Sequence, residues 1–450
     1  MKSYFLPICC AWIVATAQAQ PVSRPVSLNE ALRLSLNNST SISKAKLDRK
    51  SLEMRMKEGK SALYPQVSAR FGLDYLPGLP TTFLPATLFD DPAGGYVATT
   101  LGQPWQLAGS VRVDQVIFDE SARRMAPAAN VSRSLYDLLA DKAEEEVLYN
   151  TATVFYQAIQ TEKLLDAVRA NIAKLEALER TAQLQLDNGY ATPTDVKRVR
   201  VARTNLETQR YNLDVAVQSL RQTLQFLCGI PFEEPIAPVD NTANPGADSL
   251  RWQRLALELE NTTEHRLLQR QIELNRIQTR SLRGEIVPKI GAYATAGFLS
   301  QRPDANFFAE DQKWFGLAAV GFQVSVPIFD GFRNRRKTAG MVIERQKIEE
   351  DLRQFGQAKN LAFRQAQGRF QGALQTLRNQ TENTALAREI VEKLALQYKE
   401  GAIPLGELLS AQTALAEAES QYWHQVFNYK LAILNLLKAM GKLALVMNDE

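Results

Sequence analysis

Val116-Ile117-Phe118-Asp119 ends a run of alternating apolar and polar residues, and the step recurs as Pro327-Ile328-Phe329-Asp330, an offset of 211 from 119 to 330. What precedes and follows this step decides the fold. Upstream, Val67, Ala69, Phe71, Leu73 and Tyr75 alternate with Gln66, Ser68, Arg70, Gly72 and Asp74. Period two is the mark of a strand with one apolar and one polar face. Residues 107–118 and 317–328 repeat it, with Phe322, Val324 and Val326 against Gln323 and Ser325. The segment from Ile290 to Phe298 alternates less cleanly, because Tyr293 falls among the small residues. Four strands are therefore predicted, each long enough at about 9–11 residues to cross the apolar part of a bilayer when tilted. Downstream, Ser121 to Asn188 holds no Gly and one Pro, Pro127. Apolar residues recur there at Val154, Ala158, Leu165, Val168, Ile172 and Leu175, mostly at spacings of three, four and seven, which is coiled-coil spacing. After Pro193 the seam resumes through Leu206, Leu213, Val217, Leu220, Leu224 and Leu227. A helix through all of 121–188 would be about 100 Å long at ~1.5 Å per residue. Such rods do not wrap a compact core, so an elongated chain is expected.

The chain is written twice. Gly189 with Asp195-Val196 answers to Gly401 with Glu407-Leu408, each with a Pro between, at an offset of 212 from 189 to 401. Pro65 answers to Pro288 at 223, so the first half carries extra residues between its Pro65 and its Ile-Phe-Asp step. Ser27-Leu28 pairs in pattern with Ser249-Leu250. The expected organisation is an export leader at 1–19, a first repeat at 20–230, a linker at 231–248, a second repeat at 249–443 and a short tail at 444–450. Each repeat opens with a helical stretch (27–62 and 249–285), followed by two strands around a Pro/Gly/aromatic loop (76–106 and 299–316), then a helical hairpin. Duplication predicts two like halves packed about a pseudo-twofold axis. Asp119 and Asp330 suit the N-caps of the rods.

Composition narrows the function. The 450 residues carry 53 basic and 49 acidic side chains, a net of +4, too balanced for a nucleic-acid binder. Two histidines, His265 and His424, exclude a His-rich metal or haem site. No cofactor is expected. Cys9 and Cys10 fall in the leader, leaving Cys228 alone and no disulfide framework. The leader has Lys2, an apolar run from Tyr4 to Ala15, and Ala17-Gln18-Ala19 as a cleavage site, so the exported chain begins at Gln20. No later segment reads as a transmembrane helix. Walker A, Gly-x-Ser-x-Gly and His-Glu-x-x-His patterns are missing, and an enzyme is not expected. The basic cluster Arg333, Arg335, Arg336, Lys337 and the pair Arg123, Arg124 read as solvated helix starts, with lipid phosphates the sharper alternative.

The order of leader, helix, strand pair and helical hairpin, given twice, with an acid and an aliphatic residue six and seven places after each hairpin Gly, resembles the TolC family of outer-membrane efflux and secretion channels. The resemblance spans essentially the whole exported chain. It implies a mainly α fold with a membrane β-barrel: four strands per protomer in a trimeric 12-stranded barrel, prolonged by a coiled-coil α-barrel. It implies a homotrimer in outer-membrane lipids whose periplasmic tip meets an adaptor protein and an inner-membrane pump, with no nucleic acid involved. Physics agrees, because four strands leave open edges that lipid does not tolerate. The tips map to Asn188–Val196 and Tyr398–Leu409. Asp195 takes the place of the family's acidic partner in the first tip and Tyr398 that of a tyrosine able to reach it. Ile403 stands where the family has a locking arginine, so an Arg–Asp lock of that kind is absent. The family's acidic rings map to Glu407 and Ser410. Glu407 reads either as a ring of three like charges that attracts cations, or as a helix-start glutamate that the dipole favours. Gly189, Tyr190, Thr192, Pro193, Gly401, Ile403 and Pro404 are candidate adaptor contacts, or serve only the turns. A coiled-coil envelope stalk or adhesin and a soluble periplasmic adaptor remain the competing classes; the alternating strands, and heat-resistant trimers in detergent, argue against the first, and membrane fractionation decides the second.

Overall fold

The computed structural model describes residues 23–89, 95–240, 251–252 and 256–448. The expected leader, and the Ser249-Leu250 half of one repeat pair, lie outside them. Elements are numbered along the chain. Strand β1 (Arg24–Val26) precedes α1 (Leu28–Asn38) and α2 (Thr40–Ser61), and β2 (Gln66–Tyr75) follows. A hairpin of β3 (Thr81–Pro85) and β4 (Tyr96–Thr100) leads to β5 (Trp105–Phe118). The first helical hairpin is α3 (Glu120–Met125), α4 (Ala128–Asp187) and α5 (Pro193–Cys228), after which comes β6 (Ile236–Pro238). The second half supplies α6 (Thr263–Gly284), β7 (Lys289–Arg302), β8 (Phe315–Ser325), α7 (Arg333–Lys399) and α8 (Leu405–Met440). Chain contacts divide these elements into two compact units, one of residues 46–139 and 266–354 and the other of the remainder.

The unit of 46–139 and 266–354 carries a four-stranded sheet in the order β2-β5-β7-β8, antiparallel throughout. Its register sorts the side chains. Phe71 lies opposite Gly109, Gly109 opposite Phe298, and Phe298 opposite Gly316. The residues on that face are Val67, Leu73, Val111, Ala294, Val320 and Phe322 among others, and the large ones are open, Val320 at 85% and Phe322 at 78%. The opposite face carries Gln66, Ser68, Arg70, Arg112, Asp114, Thr295, Gln323 and Ser325. Tyr293, the residue that blurred the sequence pattern, pairs with Asp114 and Gly321 on this polar face. A Cβ on Gly321 would lie 3.0 Å from Tyr293 Cζ and Oη, so the missing side chain is what gives the phenol ring its place. Among the described residues the outer strands β2 and β8 each present an unpaired edge. The extra residues of the first half go into the segment holding the β3–β4 hairpin.

Several boundaries differ from expectation for local reasons. The opening helix is broken at Ser39, whose hydroxyl accepts from the Ile42 N–H and starts α2 as a separate helix. The α2 and α6 ranges differ by 223 residues, the offset of Pro65 and Pro288. Asp119 does cap a helix, accepting from Ser121 and Ala122 N–H. That helix lasts only to Met125, and α4 restarts past Pro127, which lacks a donor N–H. Asp330 does not cap directly: Gly331 and Phe332 take left-handed backbone (φ 65 and 66), and α7 begins at Arg333. Asp330 Oδ2 instead accepts from Asn334 N at 2.8 Å. The last strand stops at Ser325, short of Pro327.

The other unit is built around the ends of the hairpins. Phe155, Leu224, Phe370, Tyr429 and Leu437 pack with Val26, Leu32, Ile236 and Trp252 in one core. Part of the expected linker is strand β6, which pairs in parallel with β1. Leu443–Asn448, which covers most of the expected short tail, is a 3-10 helix that buries Leu443 and Val446 in the same core. The two hairpins end alike. Gly229 and Gly441 both take φ 67, and the following N–H of Ile230 and Lys442 returns to Gln225 and Leu437 carbonyls, each at 2.9 Å. This is a Schellman stop with Gly where left-handed backbone is needed.

Candidate functional site

The candidate site is the pair of hairpin bends, α4–α5 and α7–α8. Both bends use one device. Gly189 (φ 79) and Gly401 (φ 76) turn the chain, with Tyr190 N–H returning to Gln185 O at 2.8 Å and Ala402 N–H to Gln397 O at 2.9 Å. Beyond the adjoining residues, no described atom lies within 4 Å of a Cβ built on either glycine, so only backbone strain resists substitution there. The restarts differ. At the first bend Thr192 and Asp195 form a capping box: Asp195 N–H donates to Thr192 Oγ1 (3.3 Å), and Thr192 N–H donates to Asp195 Oδ2 (3.1 Å). Pro193 fills N1. At the second bend Pro404 stands at the N-cap with no side-chain bond, leaving Glu407 to answer the helix dipole alone.

Apolar residues clamp the bends together. Leu175, Leu178 and Ala182 of α4, Val196 and Val199 of α5, and Leu405 and Leu408 of α8 are buried with Tyr398, and Ile403 packs against them. Within this cluster Tyr398, 6% exposed, donates its hydroxyl to Gln185 Oε1 at 2.5 Å. The resemblance had suggested Asp195 as the tyrosine's partner. The structure gives the two residues different bonds: the capping box engages the Asp195 carboxylate, and Gln185 of α4 accepts from Tyr398. Gln185 is the residue that sequence reading missed. Its signal was its place four residues before Gly189, matching Gln397 before Gly401. Burial, then the nearby Asp195 charge, push the Tyr398 phenol up, so it remains a donor at neutral pH. Thr192's hydroxyl first, then its N–H and the Arg198 charge, hold the Asp195 carboxyl below the ordinary range.

Tyr190 is 86% exposed, and Gly189, Thr192, Pro193, Gly401, Pro404, Glu407 and Ser410 are exposed as well. Just behind the bends, a cavity of about 180 Å³ is lined by Leu175, Leu206, Val391, Gln412 and Leu415, and Gln412 Oε1 is buried with no hydrogen-bond partner. Polar cross-links stitch the hairpins further along: Arg388 and Asn171 both reach Glu419, at 3.0 and 3.3 Å. Among the described residues no group of His, Cys, Asp and Glu is placed to hold a metal ion. No helix there is long and apolar enough to cross a membrane.

Removal of the first cap is expected to loosen one bend only. Thr192→Ala should cost about 1 kcal/mol locally and speed proteolysis at the 188–196 bend while leaving 398–409 unchanged. The capping bonds are fully present above the ordinary carboxylate pKa and are lost only as pH falls through Asp195's own, lower value. Cleavage at this bend by an acid-tolerant protease should therefore stay flat down to about pH 4 and rise below it.

Residues 258–442 match the family model described as outer membrane efflux protein. The chain is 23% identical over 417 residues to outer membrane protein TolC of Escherichia coli (strain K12), covering 89% of this chain and 79% of that one. It is also 23% identical over 257 residues to the alkaline protease secretion protein AprF of Pseudomonas aeruginosa, about half of each chain. Among solved structures it superposes on CusC with a TM-score of 0.73 at 14% identity, over 92% of each chain.

Proposed function

Taking as premise that this chain belongs to the outer membrane efflux protein family as a TolC-like channel, we propose that three copies form a passive duct whose hairpin bends are its gate. The chain is an outer-membrane channel for efflux or secretion. What supports the trimer is the sheet. One face is apolar and open, the other polar, and among the described residues the outer edges of β2 and β8 carry no partner strand. An open edge in lipid leaves backbone groups without partners, so the sheet must be closed by other copies. Three copies give twelve strands, an even number within the usual range. The helices also leave apolar side chains for neighbouring copies, such as Tyr211 and Phe226 of α5, 68% and 73% exposed, and Leu361 of α7, 57% exposed.

The duct performs no covalent chemistry. An inner-membrane pump supplies the work, and an adaptor reads the exposed bends at Tyr190, Thr192, Gly401 and Ile403. The Tyr398–Gln185 bond and the apolar clamp hold the two hairpins of a protomer in register. Glu407 contributes one carboxylate per copy near the opening. Fractionation followed by planar-bilayer recording tests this reading. A heat-resistant oligomer from the outer-membrane fraction that forms pores supports it. A monomer found wholly in the soluble periplasm overturns it. Glu407→Ala should raise conductance or lower cation selectivity, and unchanged values would remove Glu407 from the gate.

A further inference from the structure

The polar face of the sheet carries one assembly that the gate does not use. Arg112 and Asp114 sit two apart on β5, hence on the same face. Arg112 Nε lies 3.0 and 2.9 Å from the two Asp114 carboxylate oxygens, and Nη2 lies 2.9 Å from Oδ1. The guanidinium carbon lies 4.7 Å from the centroid of the Tyr293 ring on the adjacent strand, within cation–π range. Tyr293 stands opposite Asp114, and on its other side opposite Gly321, the one residue type that leaves the ring its space. The arginine is thus held from two directions. Around it on the same face lie Gln66, Ser68, Ser110 and Thr295, and the nearest further charge is Arg70, opposite Ser110.

Resting on the trimeric-barrel reading, we infer that Arg112, Asp114 and Tyr293 set the charge selectivity of the barrel lumen. Asp114 balances the guanidinium's charge and Tyr293 lays it along the wall, so this cluster adds no net charge to the lumen at its level. Twelve strands at about 4.8 Å spacing and ~40° tilt give a backbone radius of roughly 12 Å. The Debye length is about 10 Å at 0.1 M salt and about 3 Å at 1 M. Three freed arginines therefore reach across the lumen at low salt and not at high salt.

The test is the reversal potential of the reconstituted full-length chain across a KCl gradient. Asp114→Asn should raise the anion-to-cation permeability ratio several-fold at 0.1 M and leave it unchanged at 1 M. Arg112→Gln should shift it the opposite way. Tyr293→Leu and Gly321→Ala, which remove or displace the ring, should each give a partial shift in the direction of Asp114→Asn, while Tyr293→Phe behaves as the parent. Conducting trimers in which Asp114→Asn and Arg112→Gln both keep the parental reversal potential overturn this inference alone. The absence of any channel current overturns the channel reading and this inference with it.

Discussion

Val320→Arg should abolish the heat-resistant oligomer, whereas Ala319→Arg, one residue away, should leave it in place. Val320 is near the middle of β8, opposite Ala294, on the apolar face. It is 85% exposed in the single chain. On the proposed barrel reading, lipid covers that surface. An arginine at the bilayer midplane on a barrel's lipid face costs about 2–4 kcal/mol, and the proposed trimer would incur that cost three times. Ala319 lies opposite Thr295 on the polar face, where the new charge meets water. The measurement is a semi-native gel of the outer-membrane fraction, boiled and unboiled. An oligomer kept by Val320→Arg and lost by Ala319→Arg would invert the assignment of the two faces.

Phe155→Ala is the second large effect, and it acts in the other unit. Phe155 is fully buried in the core shared with Leu32, Leu224 and Tyr429. Its ring meets that of Tyr156 edge-on at 5.9 Å. Truncating a buried phenylalanine costs about 3–5 kcal/mol, from lost transfer energy and the cavity left behind. The expected result is a marked fall in the denaturant midpoint of the helical circular dichroism signal in detergent. Phe308→Ala removes the same ring where it is 91% exposed, and should barely move that midpoint. Comparable shifts for the two would mean that the core is not where the buried side chains place it.

Much of this was legible because both periods are local. The strands at 66–75, 105–118, 289–302 and 315–325 follow from alternation, and the rods from the three-and-four spacing of Val154, Leu165 and Leu175. The caps were partly legible. Asp119 was read correctly, while Asp330 was displaced by two left-handed residues, Gly331 and Phe332. The tip was legible as a place and not as a set of bonds. Asp195 and Tyr398 were singled out as a pair. Yet Asp195 bonds three residues back, to Thr192, and Tyr398 bonds across to Gln185, 213 residues away in sequence. A long-range partner of that kind leaves no local pattern. The buried tail at Leu443 and Val446, and the β1–β6 pair, were missed for the same reason.

By itself, the sequence determined which segments are strands and which are rods, that the chain is doubled, and where each hairpin turns. These follow from side-chain period and from the few residues able to take left-handed backbone. Tertiary structure alone decided which strands neighbour one another, which side chain takes the Tyr398 proton's hydrogen bond, and that Tyr293 belongs with Arg112 over Gly321. Those outcomes depend on register and on the space left by residues far away in the chain. Period fixes a residue's face, and only packing fixes what it meets there.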